Sequence, residues 1–161
     1  MQRRTPASVV RVFAVGAALV LLTSACSESV DPLDAVTAAK LQPQSLFVSQ
    51  PTTACPDSPD AGEGQPAVPQ AVCIEVKNTG TDTAAYAVAV SVQNKDKDAK
   101  VYSQVVLNTP PIPAGATGAV AVAAPGTENI ITKPTDAQKA AGAIPAGDVR
   151  LNVTQVNRAS A

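Results

Sequence analysis

The fold is decided by residues 72–92, which read VCIEVKNTGTDTAAYAVAVSV. In the first part of this stretch Val72, Ile74 and Val76 alternate with more polar residues, and from Tyr86 to Val92 the apolar side chains again occupy every second position. A period of two is the signature of a β-strand with one buried face. The stretch therefore predicts two strands separated by the polar turn at 78–83.

The same alternation continues on both sides of this pair. Further strands are predicted at 101–107, 117–123 and 149–154, with shorter runs at 45–49 and 129–132. Short strands separated by turn signals are typical of two-sheet sandwiches. The sequence thus predicts an all-β, antiparallel Ig-like β-sandwich of about seven strands. Residues 135–141 followed by Gly142 add one short helical insert, because they combine an N-cap, helix formers and a C-terminal glycine.

The first 25 residues have the composition of a leader. Three arginines and no acidic residue occur in residues 1–11, and the apolar run that follows covers 11 residues, 12–22. Such a run is too short for a bilayer core, which needs about 20 residues, so it predicts a secretory signal peptide. A retained membrane anchor is the alternative.

The end of this leader, Leu22-Thr-Ser-Ala-Cys26, resembles the lipobox of bacterial lipoproteins. The resemblance implies that Cys26 is lipidated and that residues 1–25 are removed as a signal peptide. It places the protein on the extracytoplasmic face of the cell membrane, with membrane lipid as its partner. A plain signal peptide with an unrelated cysteine is the alternative.

Residues 26–43 are interpreted as a lipidated tether, in which 33–41 has the composition for two helical turns, and residues 44–161 as the domain. A Pro-rich surface loop at 50–70 contains five prolines. A loop of this length serves either as a solvated connection or as a binding loop.

Two cysteines, Cys55 and Cys73, remain after the lipidated one. Two thiols in an exported chain predict a disulfide. The alternatives are a metal site, which would need further soft ligands, and a redox pair, which would need a CxxC spacing. Cys73 shares its side of the strand with Glu75 and Lys77. Its sulfur is therefore expected on the outer surface of the sheet, where the bridge attaches the Pro-rich loop.

The composition argues against several classes of protein. The chain has no histidine, which excludes Ser-His-Asp and Cys-His catalysis and His-ligated zinc. Removal of residues 1–25 takes three of the 12 basic and none of the 13 acidic residues, so the mature chain has nine against 13 and a net charge of −4. The full chain has only four aromatic residues, so both the charge and the scarcity of stacking rings argue against a nucleic-acid binder. We expect no catalytic residue, no metal and no cofactor.

One acidic motif, at residues 94–98, resembles a calcium-binding loop only in part. Asn94, Asp96 and Asp98 stand at alternate positions, but Ala99 occupies the place of the required glycine and two lysines intervene. A solvated hairpin turn is the preferred interpretation.

Residues 76–84, VKNTGTDTA, together with 112–117, IPAGAT, resemble the Ig-like domains of bacterial surface proteins, including the CARDB type. The resemblance covers about residues 71–123 and implies the fold. We therefore expect a non-catalytic binding or structural module of the cell envelope with an envelope protein as partner. The alternatives are an accessory or inhibitory subunit of an envelope enzyme that uses the Pro-rich loop, and a carrier of a small apolar ligand between the sheets. The carrier would need a cavity lined by Val88, Val90, Val120 and Val153.

Overall fold

The computed structural model describes residues 32–46, 52–57, 62–65, 67–96 and 100–161. The leader and Cys26 lie outside these ranges. Within them the chain forms eight strands and one α-helix, which confirms the all-β prediction. The strands are β1 Val36–Pro43, β2 Gln70–Lys77, β3 Ala84–Asn94, β4 Val101–Asn108, β5 Thr117–Ala124, β6 Ile130–Ile131, β7 Ile144–Pro145 and β8 Val149–Ser160, and the helix is α1 Asp136–Ala140.

Six of the strands make a two-sheet sandwich. Sheet 1 has the order β1-β2-β5 and sheet 2 the order β4-β3-β8, and all neighbours in both sheets are antiparallel. This is the order of strands A, B and E and of strands C′, C and F in an immunoglobulin domain, so the predicted Ig-like sandwich is confirmed. The short strands β6 and β7, which lie between β5 and β8 in the chain, form a separate parallel pair.

The core lies between the facing strands β2 and β3. Both strands contribute side chains to it, and the three valine or isoleucine residues that each provides have no more than 1% of their surface exposed. They are Val72, Ile74, Val76, Val88, Val90 and Val92. Burial of one such side chain contributes about 1.5–3 kcal/mol. The alternation seen in the sequence is therefore the pattern that assembles the core.

The interpretation of 26–43 as a tether is wrong for its second part. Residues Val36–Pro43 form β1, which pairs along its length with β2 from Val36 opposite Val76 to Pro43 opposite Gln70. The two helical turns that the composition of 33–41 allows do not form, since the 3-10 turn Pro32–Ala35 is followed directly by β1. Alternation is weak here because small and polar residues occupy the strand, and pairing with the edge of β2 determines its conformation. The domain thus begins before residue 44.

The two short elements predicted from the sequence have different outcomes. Of the strand predicted at 45–49, the described residues lie in the 3-10 turn Gln44–Leu46, which directly follows the end of β1 at Pro43. The helical insert is confirmed as α1. Its N-cap Thr135 accepts from the backbone N–H of Gln138, whose side chain in turn accepts from the backbone of Thr135. Gly142 follows with φ +96°, as a helix C-terminus favours.

A buried asparagine connects the turns at one end of the sandwich. The side chain of Asn78 has no exposed surface, and all its polar atoms are satisfied. Its Nδ2 donates to the carbonyl oxygens of Asp82 and Ile112, each at 2.8 Å. Its Oδ1 accepts from the backbone N–H of Gly80 at 3.1 Å and from the hydroxyl of Tyr86 at 2.9 Å.

The backbone of Asn78 adds two further bonds to the same partner turn. Its N–H donates to the carbonyl of Ala116 at 2.9 Å, and its carbonyl accepts from the N–H of Gly115 at 2.8 Å. Gly115 has φ +74°, a conformation that other residues adopt only with strain. The two turn motifs of the sequence, 78–83 and 112–116, are therefore bound to each other.

Replacement of Asn78 tests this connection. Asn78→Ala leaves two carbonyls and a tyrosine hydroxyl without their partner in a buried site, and we expect the free energy of unfolding to fall by about 3 kcal/mol. Urea denaturation of both proteins measures it. The exposed Asn152 on β8 provides the control, since Asn152→Ala should change stability by less than about 0.5 kcal/mol. Equal effects of the two substitutions would contradict the assigned role of Asn78.

Candidate functional site

The predicted disulfide is present. Cys55 and Cys73 are bonded, with their Cα atoms 5.8 Å apart and a sequence separation of 18. Cys26, the predicted lipidation site, lies outside the described residues.

The bridge lies on the outer face of sheet 1, as the alternation predicts. Cys55 and Cys73 form a small apolar cluster with Ala119, against which Ala121 packs. This cluster is separate from the core, to which Val72, Ile74 and Val76 belong. The prediction that the sulfurs do not point between the sheets is therefore confirmed.

The outer face at the bridge is nevertheless buried, and the sequence did not predict this. Cys55 and Cys73 are only 5% and 2% exposed, and β2 is buried on both of its faces over most of its length. The cause is the segment 52–57, which crosses the outer face of sheet 1. Small side chains at Ala119 and Ala121 leave room for it.

Polar contacts fasten this segment to all three strands of sheet 1. At its start, the N–H of Ala119 on β5 donates to the carbonyl of Thr52 at 2.7 Å. In its middle, the N–H of Cys55 donates to Oε1 of Glu75 on β2 at 2.8 Å. At its end, the Gln42 side chain on β1 donates to the carbonyl of Pro56. We call residues 52–57 the strap.

An ion pair closes the strap at its last residue. Nζ of Lys40 on β1 lies 2.8 Å from Oδ1 of Asp57, and the side chains are 40% and 95% exposed. The hydrogen bond from Lys40, followed by its positive charge, lowers the pKa of Asp57, and the same hydrogen bond raises the pKa of Lys40. Since the pair is exposed, solvent screens it, and it positions the strap more than it stabilises the domain.

The acidic motif after β3 forms a hairpin turn. Oδ1 of Asn94 accepts from the backbone N–H of Asp96 at 2.9 Å, and the N–H of Asn94 donates to the carbonyl of Lys100 at 2.9 Å. Asp98 lies outside the described residues. In the described part of the chain, no three carboxylate or cysteine side chains are grouped as a metal site would require.

The valines proposed to line a ligand cavity belong to the packed core. Val88 and Val90 are at most 1% exposed, and Val120 and Val153 pack against the cluster that contains them. This packing counts against a carrier function. A shallow depression lies instead on the outer face of sheet 2, lined in part by Ala89, Gln104 and Val106.

The helices of the described residues are all too short or too polar to cross a membrane. Comparisons with models of protein families, with curated proteins and with solved structures find no match to this chain.

Loss of the disulfide should weaken the domain. Cys55→Ala with Cys73→Ala frees a loop of 18 positions, which lowers the free energy of unfolding by about 3 kcal/mol in the chain-entropy model. Urea denaturation measures the change. Cys26→Ala is the matched control, because it removes a cysteine without touching the bridge. Identical unfolding midpoints for the double variant and the unaltered protein would contradict a stabilising bridge.

The ion pair of the strap predicts a pH dependence. Because the folded-state pKa of Asp57 is lowered, its contact with Lys40 is complete above the pKa of a solvated aspartate and is lost as pH falls through the folded-state value. An NMR titration of the Asp57 carboxyl measures this pKa. We expect Lys40→Ala to raise it toward that of a solvated aspartate, whereas Lys77→Ala, on an exposed residue of β2, leaves it unchanged. No response to Lys40→Ala would show that the pair is absent in solution.

Proposed function

We propose that this chain is a bacterial lipoprotein: an Ig-like sandwich held on the extracytoplasmic face of the cell membrane by acyl chains on Cys26. The leader with its lipobox carries the proposal. Two or three acyl chains, each methylene contributing about 0.8 kcal/mol on burial, make a stable anchor where a single short chain does not.

The disulfide supports an extracytoplasmic location. Structural disulfides persist in oxidising compartments and are rare in the reducing cytoplasm. In this chain the Cys55–Cys73 bridge is part of the domain's architecture, since it fixes the strap over β2. A domain that depends on such a bridge is suited to the cell envelope.

We further propose that the sandwich acts as a non-catalytic binding or structural module with an envelope protein as partner. The chain lacks the histidine on which most acid–base and nucleophilic sites depend. The carboxylates at the strap already have structural partners, since Glu75 accepts from the backbone of Cys55 and Asp57 pairs with Lys40.

The anchor is tested at the cysteine that carries it. Cys26→Ala removes the acylated thiol, and we expect the protein to lose incorporation of radiolabelled fatty acid and to leave the membrane fraction after signal cleavage. Sedimentation of membranes followed by immunoblotting measures its distribution.

The remaining cysteines supply the control. Cys55→Ala with Cys73→Ala removes the other two thiols and should leave both acylation and membrane association intact. If the Cys26→Ala protein, with its leader cleaved, stayed on the membrane, the lipid anchor would be wrong.

A further inference from the structure

One end of the sandwich is much closer to Cys26 along the chain than the other. Strand β1 begins there, with Val36 opposite Val76 and next to the turn that starts at Asn78. The 3-10 turn Pro32–Ala35 precedes β1 directly and contacts β8. We call this the Asn78 end and define it by residues 32–37, 77–83, 109–117 and 157–161.

We propose, on the basis of the lipid anchor proposed above, that the Asn78 end rests on the headgroup surface of the bilayer that holds Cys26. Only residues 27–31 separate Cys26 from Pro32. A peptide extends at most about 3.6 Å per residue, so the Asn78 end stays within roughly 20 Å of the lipidated cysteine.

The length of the sandwich excludes the reverse orientation. Strand β3 runs from one end to the other with 11 residues, which corresponds to roughly 35 Å at the rise of a β-strand. If the opposite end faced the bilayer, the Asn78 end would be held roughly 35 Å from it, farther than residues 27–31 reach. The position of β1 decides the orientation, because a flexible tether that extended to residue 43 would allow either end to face the bilayer.

The surface of the Asn78 end suits a lipid headgroup layer. Its charged side chains are Asp34, Lys77, Asp82 and Arg158, which sum to zero although the mature chain has a net charge of −4. Anionic headgroups repel an acidic surface within about a Debye length, and this end avoids that repulsion. Its other exposed residues are uncharged, and seven of them are threonine or proline: Thr37, Thr79, Thr81, Thr83, Pro110, Pro111 and Pro113.

Leu33 adds an apolar contact at the same end. It lies in the 3-10 turn next to the anchor and is 44% exposed. An apolar side chain that projects toward the headgroup boundary gains by partial burial in it. The opposite end offers a matched position, because Val101 begins β4 across from Gln93 and is 45% exposed.

These two positions give the experiment. Leu33→Cys and Val101→Cys are made separately in the full chain, where the acylated Cys26 and the bonded Cys55–Cys73 leave the introduced thiol as the free one. The purified proteins are added to preformed vesicles of phosphatidylglycerol and phosphatidylethanolamine. Labelling by a bulky, membrane-impermeant maleimide is timed with and without detergent.

We expect the vesicle to slow labelling several-fold at the thiol introduced by Leu33→Cys and to leave labelling at position 101 unchanged. The proposed orientation would be overturned if the vesicle slowed labelling at neither position, or slowed it equally at both. A second variant controls for local folding effects. Insertion of about 20 Gly/Ser residues between Ser27 and Glu28 adds roughly 25 Å of reach and should abolish the protection at position 33.

Failure of the anchor is read separately. Flotation of each protein with the vesicles and its fatty-acid content are measured in the same samples. Proteins that float with equal labelling rates retain the anchor and contradict only the orientation. Proteins that carry no acyl chain and do not float contradict the lipoprotein proposal and the orientation with it.

Discussion

The side chain of Asn78 binds the two turns at one end of the sandwich. With no exposed surface, it joins the 78–83 turn to the carbonyl of Ile112 and to the hydroxyl of Tyr86 on β3. The chain enters this turn from β2 of sheet 1 and leaves it into β3 of sheet 2. The crossover between the sheets is thus held by hydrogen bonds whose loss would leave several buried groups unsatisfied.

A second constraint acts on the outer face of sheet 1. The strap replaces solvent over β2 and is fixed by the disulfide, by Glu75 and by pairing with Ala119. Few aromatic residues are available to this domain, so its core consists mainly of valine, with some alanine and isoleucine. Cover on both faces of β2 and a covalent bridge compensate for such a thin core.

Much of this fold was predictable from alternation alone. Strands β2, β3, β4, β5 and β8 were expected from their period-two patterns, and the outward direction of Cys73 followed from the same rule. Strand β1 was not, because the residues of Val36–Pro43 show no such period and become a strand only by pairing with β2. The burial of Cys73 depends on the strap, which is distant in the chain.

The role of Asn78 was also beyond local rules. Its position in an Asn-Thr-Gly-Thr segment indicates a turn, but the contact with the segment 112–116 depends on how the sheets are stacked. The proposed lipidation of Cys26 is the opposite case, since a local motif predicts it and no contact of the described domain bears on it. The proposed anchor and the described domain are related only by the short stretch of chain from Cys26 to β1.

Mass spectrometry of the N-terminal peptide of the protein purified from membranes tests the proposed lipid anchor most directly. We expect a chain that starts at Cys26 and carries the mass of a diacylglyceryl group, with or without a further acyl chain on its amino group. An unmodified Cys26, or a chain that still contains residues 1–25, would contradict it.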